Sequence, residues 1–453
     1  MARKFKTVDY AEALELEVKI GEVLAADHLA CFVVFVIAEL DLSAIYQRYA
    51  PLGGPPYAPE IMLGLLFYGY ATGVFSSRKI EKGTYETIPF HFIAGGLHPD
   101  HDTIANFRKD FLPEIQELFV QILVVAQMMG MLKLGNISLD GTKIHADASK
   151  HNAVSYKRLV ELERKLQAEV QELFALAEKA DSEVVPEGLV IEDEIVLRQS
   201  RMAQLDLAKT VLEARAELRY EAEKAAYEAK MREREANEQA TGRKLGGPKP
   251  KAPVRGPRDK DQYNFTDPAS QIMKNSPNQG FDQHFNTQVA VEQESLLIVG
   301  KGLSNHPNDK QEAGPTLEAI PTDKIGWPDA AAMDNGYFSQ DNINEFENRG
   351  VEPYIATGRE PHHQNWGTFF AQQTDPPPQD ASPQVKMAYK LQTEIGRAIY
   401  HLRKCTVEPV IGIIKEVLGF RQFSLRGLEA AAGEWGLVCI GFNLKRMHTL
   451  YYS

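Results

Sequence analysis

Cysteine is scarce, with three residues in a chain of 453. Cys31, Cys405 and Cys439 are far apart, odd in number and contain no CxxC pair, which excludes a disulfide framework and a cysteine zinc site and points to a reducing cytoplasm. Long hydrophobic runs are missing too. The most apolar stretch, Leu29–Ala38, is too short for a bilayer and follows Asp27-His28 rather than a basic flank, so it reads as a buried helix; neither a signal peptide nor a membrane span is expected. A general excess of positive charge is also absent. The net charge of -12 excludes a protein coated in nucleic-acid-binding surface.

Basic residues are gathered locally instead. Between positions 243 and 260, Arg243, Lys244, Lys249, Lys251, Arg255, Arg258 and Lys260 face only Asp259. From Lys386 to the end, ten Lys and Arg face five Glu. An acidic protein with such segments can still bind a polyanion at those places. With 43% hydrophobic and 25% charged residues, the rest is ordinary globular sequence with room for two or three domains.

The first 132 residues read as helical. A buried helix is expected over 58–73, then a helix capped by Ser76 or Ser77 and carrying Arg78 and Lys79, then one capped by Asp102 or Thr103 with Arg108 and Lys109 on an exposed face. Two such helices make either a DNA-contacting module or a small bundle with solvated charges. Further on, 156–181 repeats apolar residues every three or four positions, and 196–240 is rich in Ala, Glu, Lys and Arg. They pair as an antiparallel helical hairpin, a coiled-coil arm without chemistry. Residues 242–263 have no period and read as a flexible basic linker.

Three acids stand at informative places. In the stretch beginning at Asn136, Ile137 and Leu139 alternate with Ser138 and Asp140, the pattern of a half-buried strand that Gly141 and Thr142 should break just after Asp140. Asp334 ends a second short strand, 327–334, before Asn335-Gly336; Ser339 then caps a helix and 351–356 forms a further strand. Glu408 begins a new helix at 406–409, where Val407, Ile411, Ile414 and Leu418 form the apolar stripe and Gly412 and Lys415 lie along a line with Glu408. Taken singly, each has a plain reading: a turn-capping Asp, or a first-turn Glu favoured by the helix dipole. Asp147 reads as a turn acid, or as a second acid near the first. His145, His362 and His363 lack a third ligand at zinc spacing, and the His362-His363 pair reads as a loop feature facing DNA.

Together the acids meet a known demand. Phosphoryl transfer on nucleic acid uses two hard cations about 4 Å apart, held by a few carboxylates. At these residues the chain resembles the DDE transposases of bacterial insertion sequences. The resemblance rests on LDGTKIHADASKHNAVSY around Asp140, QYNFTDPASQIMK from Gln262, AAMDNGYFS around Asp334 and YHLRKCTVEPVIGIIK around Glu408, and extends to YAPEIMLGLLFYGYATGVFSSRKIE and PDHDTIANFR in the amino-terminal half.

The resemblance implies an α/β catalytic core of ribonuclease-H-like type, a mixed sheet flanked by helices, interrupted by a long helical hairpin and preceded by an all-α domain. The expected divisions are 1–132 for DNA ends, 133–152 for the first strand, 153–262 for the insertion and linker, and 263–453 for the rest of the core. It implies that Asp140, Asp334 and Glu408 are the catalytic, metal-binding triad for two Mg²⁺ ions, with Mn²⁺ as substitute. It also implies a Tyr, Arg, Glu, Lys signature met by Tyr400, Arg403, Glu408 and Lys415. In the commonest form three residues separate Arg from Glu; here four do, so Lys404 is an alternative to Arg403. The expected partners are double-stranded DNA, as element ends and target, and a second copy of the chain, with no membrane; the expected place is the bacterial cytoplasm and nucleoid. Alternatives from other classes are a metal-dependent nuclease without strand transfer, a catalytically silent DNA-binding regulator and an interaction protein built on the helical arm.

Overall fold

A computed structural model describes residues 19–49, 54–179, 190–242, 246, 249–275, 280–358 and 376–453. The chain divides into two compact units, one of residues 1–146 and 284–453 and the other of residues 147–283. His362 and His363 lie outside the described residues.

The first unit begins with helices α1 (Ile20–Val23), α2 (Leu29–Ala38), α3 (Ser43–Gln47), α4 (Pro59–Ala71), α5 (Ser77–Glu86), α6 (Ile88–Ile93), α7 (His101–Asp110) and α8 (Leu112–Met128). The apolar run 29–38 is indeed a helix that buries Phe32, Val33, Val36 and Ile37. Almost all of α4 is buried, with Pro59 at its first turn, where the missing N–H costs nothing. Among the described residues no single helix is long and apolar enough to cross a membrane.

Two expectations for α7 are corrected. Its cap is Asp100, whose carboxylate accepts from the Thr103 amide at 2.9 Å, rather than Asp102 or Thr103. Arg108 does not face solvent: it is 8% exposed. Ile104, Phe107 and Arg108 fall at helical spacing on the inward face, and the Arg108 guanidinium donates to the Tyr70 hydroxyl at 3.1 Å. Burial opposes its charge, but Tyr70 and Glu434 outweigh that and hold its pKa above the usual value. Arg78, Lys79 and Lys109 are exposed.

A mixed sheet follows, with strands β1 (Ile137–His145), β5 (Phe281–Glu292), β6 (Ile298–Ser304), β7 (Ala330–Met333) and β8 (Glu352–Ile355). β1 is central. It pairs antiparallel with β5, which pairs antiparallel with β6, and on its other side parallel with β7, which pairs parallel with β8. Ile137 and Leu139 are fully buried, as the alternation requires. The strand does not stop at Asp140, however. β5 pairs along its whole length to His145, so Gly141 and Thr142 continue the ladder. What ends near Asp140 is the shorter parallel pairing with β7.

Helices α11 (Ala313–Glu318), α12 (Thr322–Ile325), α13 (Gln340–Asn348), α14 (Pro383–Gln392), α15 (Glu394–Gly412) and α16 (Leu428–Tyr452) complete this unit. Ser339 caps α13 as expected, accepting from the Asn342 amide at 3.1 Å. The expected break near Thr406 falls instead at Thr393, whose hydroxyl accepts from the Gly396 amide at 3.0 Å and starts α15. Glu408 and Pro409 therefore lie inside a helix, which widens into a π-helical turn over Ile413–Val417. Pro409 has no N–H to return to the preceding turn, which loosens the helix there.

The second unit holds β2 (Ala153–Ser155), α9 (Tyr156–Lys179), α10 (Ile191–Thr241), β3 (Gln262–Asn264) and β4 (Gln271–Lys274). The two long helices pack on each other as the periodicity requires, with Leu159, Leu205, Ala208 and Leu212 buried around Val154 and Tyr263. The basic linker is partly anchored on α10: Arg219 grips Asp261 at 2.8 Å, Arg255 pairs with Glu217 at 2.6 Å and Arg258 with Glu223 at 2.7 Å. Those of Arg255 and Arg258 are largely exposed pairs, worth little each, and leave the cations near solvent. Asp147 lies in this unit.

Candidate active site

The sheet register brings the first two acids together. Leu139 of β1 lies opposite Met333 of β7 in a parallel pair, so the residues that follow, Asp140 and Asp334, stand side by side at the carboxyl edge of that pairing, although β1 itself runs on to His145. Open sheets bind ligands at such edges. Asp334 starts a short turn, its carboxylate accepting from the Gly336 amide at 2.7 Å.

The third acid arrives from α15. Ser138 shares the face of β1 that carries Asp140, and the Thr406 hydroxyl donates to it at 2.8 Å, pinning the helix across the strand. Arg403, one turn before Thr406, then donates to Asp140 Oδ2 at 3.1 Å and to Glu408 Oε1 at 3.2 Å. Its side chain is 10% exposed and those of Asp140 and Glu408 are 20% and 49% exposed. Arg403, Thr406, Val407, Val410 and Ile414 are the buried line of this helical segment. Lys404, one position on, is exposed, and Tyr400 is half-buried, its ring 5.9 Å from the Arg403 guanidinium carbon. Lys415 donates to Thr142 Oγ1 at 3.0 Å and to the Lys143 carbonyl at 3.3 Å, bracing β1 just beyond Asp140; burial, with Arg421, lowers its pKa.

Electrostatics mark the cluster. Burial pushes the Asp140 carboxyl up to about 7; Asp334 and Asp309 push the same way, while Arg403 and the Gly141 amide pull against them. Burial also raises Asp334.

Asp309 is a neighbour that the sequence reading missed. Its Oδ1 accepts from Asn286 Nδ2 and from Gln288 Nε2, both at 2.8 Å, and the buried Tyr337 hydroxyl donates to the other end of Gln288. Room for this carboxylate depends on Gly141: a Cβ there would meet Gln288 Nε2 at 2.2 Å and Asp309 Oδ1 at 2.7 Å. Only the Asn-Asp turn after β6 hints at it locally, and such turns are common. Gly141→Ala is expected to cost about 2–3 kcal/mol, because Gln288 is fully buried and tied on both sides. Urea unfolding of the variant against wild type checks this; an unchanged midpoint would show that the network yields.

His145 lies against His284, ring centroids 4.3 Å apart. Among the described residues, no three His, Cys, Asp or Glu side chains are gathered closely enough to hold a metal ion as they stand. The donor chemistry nevertheless suits a hard cation: all the acids offer oxygen, burial first and the neighbouring Asp334 and Asp309 second keep Asp140 from ionising easily, and a guanidinium already stands between Asp140 and Glu408.

Acids converging at the carboxyl edge of a mixed α/β sheet, with a helical region before it and a long helix between its strands, define a class of proteins that handle charged oxygen groups. Two segments of the chain match models of known protein families. Residues 20–110 match the family model Transposase domain (DUF772), and residues 377–448 match the Transposase DDE domain. The two matches support an insertion-sequence DDE transposase, and the DDE domain implies an enzyme of nuclease or transferase type. The second match contains Glu408, and the first contains α7 with Lys109. Neither the curated proteins nor the solved structures contain a match.

Proposed function

We propose that the protein binds the ends of its own insertion sequence, cuts a DNA strand beside each and joins the freed 3′ hydroxyl to target DNA, using Asp140, Asp334 and Glu408 on a ribonuclease-H-like core. The observation that carries this reading is the side-by-side emergence of Asp140 and Asp334 from β1 and β7, with Glu408 linked to Asp140 through Arg403. The antiparallel β6, β5, β1 run continued by parallel β7 and β8 supports the core assignment.

Asp140, Asp334 and Glu408 would hold two Mg²⁺ ions, for which Mn²⁺ can substitute. Bound there, divalent ions supply charge neutralisation at phosphate oxygens and a lowered pKa for attacking water. The chain's own part is to position. Thr406 holds α15 on β1, Lys415 braces the strand after Asp140, and Lys404 and Tyr400 are offered to the DNA backbone flanking the cut. Arg78, Lys79 and Lys109 are the candidates for end binding; Arg108 serves the helical core instead. Two ends must meet, so a dimer on DNA is expected, with the α9–α10 arm available to help form it. Sizing with end DNA checks this, and monomers alone would overturn it.

The decisive experiment incubates labelled end DNA with Mg²⁺ or Mn²⁺ and compares wild type with Asp140→Ala, Asp334→Ala and Glu408→Ala. Cutting and joining by wild type, lost in each variant while DNA binding persists, is the expected outcome. Cutting without joining would make the protein a nuclease. Variants as active as wild type would dismiss the triad.

A further inference from the structure

Arg403 is an unusual site residue. Its side chain is nine-tenths buried, its two terminal nitrogens are each spent on a carboxylate, and its Nε is buried without a partner among the described residues. A guanidinium placed to grip DNA would be turned outward, as the neighbouring Lys404 is. Arg403 instead begins the inward line of α15 that continues with Thr406, Val407 and Val410.

The space it takes is informative. Its nitrogens lie 3.1 Å from Asp140 and 3.2 Å from Glu408, so it already occupies carboxylates that would hold a divalent ion. A second cation beside it would meet like-charge repulsion in a partly desolvated setting, where such repulsion is strong. One cation must yield to the other.

We propose that Arg403 is the resident counter-cation of this acid cluster: it holds Asp140 and Glu408 together in the metal-free protein and is exchanged for a divalent ion when the site loads. It is thus a positioning residue, acting through the acids, and it leaves the cluster as metal enters. The inference rests on the proposed role of Asp140 and Glu408 as metal ligands. It carries a consequence opposite to that of a DNA-gripping arginine. Removing a competitor strengthens metal binding; removing a DNA contact leaves metal binding alone.

The test measures Mn²⁺ binding to the full-length protein without DNA, by electron paramagnetic resonance titration, for wild type, Arg403→Gln, Arg403→Lys and Asp140→Asn. Arg403→Gln is expected to bind Mn²⁺ about tenfold more tightly than wild type, Arg403→Lys to stay within about threefold of wild type, and Asp140→Asn to bind at least about tenfold more weakly. A second measurement needs no variant. Phenylglyoxal labelling followed by peptide mass analysis should find Arg403 protected in the metal-free protein and labelled several-fold faster with saturating Mn²⁺. Unchanged or weaker binding by Arg403→Gln, or labelling that does not rise with Mn²⁺, overturns the exchange while Asp140→Asn still reports the metal site. If Asp140→Asn binds Mn²⁺ like wild type, the metal role of the acids falls, and the exchange falls with it.

Discussion

Asp140→Asn should abolish DNA cutting, by about a thousandfold or more, and at the same time relieve a pH-dependent weakness of the metal-free protein. The first effect follows from removing an acid that the proposed chemistry uses directly. The second follows from linkage. In the folded protein burial raises the Asp140 carboxyl from 3.8 to about 7, with Asp334 and Asp309 adding to the rise. Between those two values the unfolded chain carries an ionised Asp140 and the folded chain a neutral one, so the unfolded state binds fewer protons. Stability conferred by the neutral carboxyl is complete below about pH 4, is lost as pH rises towards 7, and changes no further above it. A shift of this size corresponds to about 4 kcal/mol. Asparagine does not titrate and escapes that loss.

Urea unfolding in EDTA at pH 4 and pH 7.5 reads the effect as a difference of differences, which cancels the changed hydrogen bond to Arg403. Wild type should lose several kcal/mol more than Asp140→Asn across the interval. Parallel losses would mean that Asp140 titrates normally. Adding Mn²⁺ at pH 7.5 should restore stability to wild type more than to the variant, since binding to the native state alone stabilises it.

Glu434→Ala is expected to be among the most damaging single changes, at about 3–5 kcal/mol, although Glu434 is remote in sequence from the acids. The side chain is fully buried. It accepts from the Ser424 amide at 2.8 Å, the Leu425 amide at 3.0 Å and the Tyr70 hydroxyl at 3.4 Å, and takes a further hydrogen bond from the Ser424 hydroxyl. Tyr70 in turn accepts from Arg108. Alanine leaves these donors without their acceptor and the buried Arg108 guanidinium without a nearby counter-charge, and the desolvation cost of each then appears in full. This network ties α4 and α7 to α16, so its loss should lower the melting temperature of the unit as a whole. Glu434→Gln, which keeps the shape and part of the acceptance, should recover part of the loss; an alanine variant melting within a degree of wild type would show that water replaces the carboxylate.

Several elements were readable along the chain because their causes are local. Alternation placed Ile137 and Leu139 inside a strand, three-and-four spacing drew α9, a run rich in Ala, Glu, Lys and Arg drew α10, and Ser339 capped α13, each decided by residues a turn or a few positions apart. Two buried cations were readable as well, had helical phase outweighed charge. Arg108 follows Ile104 and Phe107 on one face, and Arg403 precedes Thr406, Val407 and Val410 on another.

The remainder was decided only in three dimensions. Asp140 read as a strand terminus because Gly141 follows it, yet β5 carries the ladder on to His145; a ladder depends on its partner strand as much as on its own residues. Asp309 is held by Asn286 and Gln288 on the neighbouring strand and reaches the acids through the space left at Gly141, a residue more than a hundred positions away that no local pattern links to it. Which residues could bear the chemistry, and the type of element carrying each, can be read along the chain. Tertiary structure alone decided which charges face one another and which are buried, because the energy of a charge is set by the partners and water around it rather than by its neighbours in the chain.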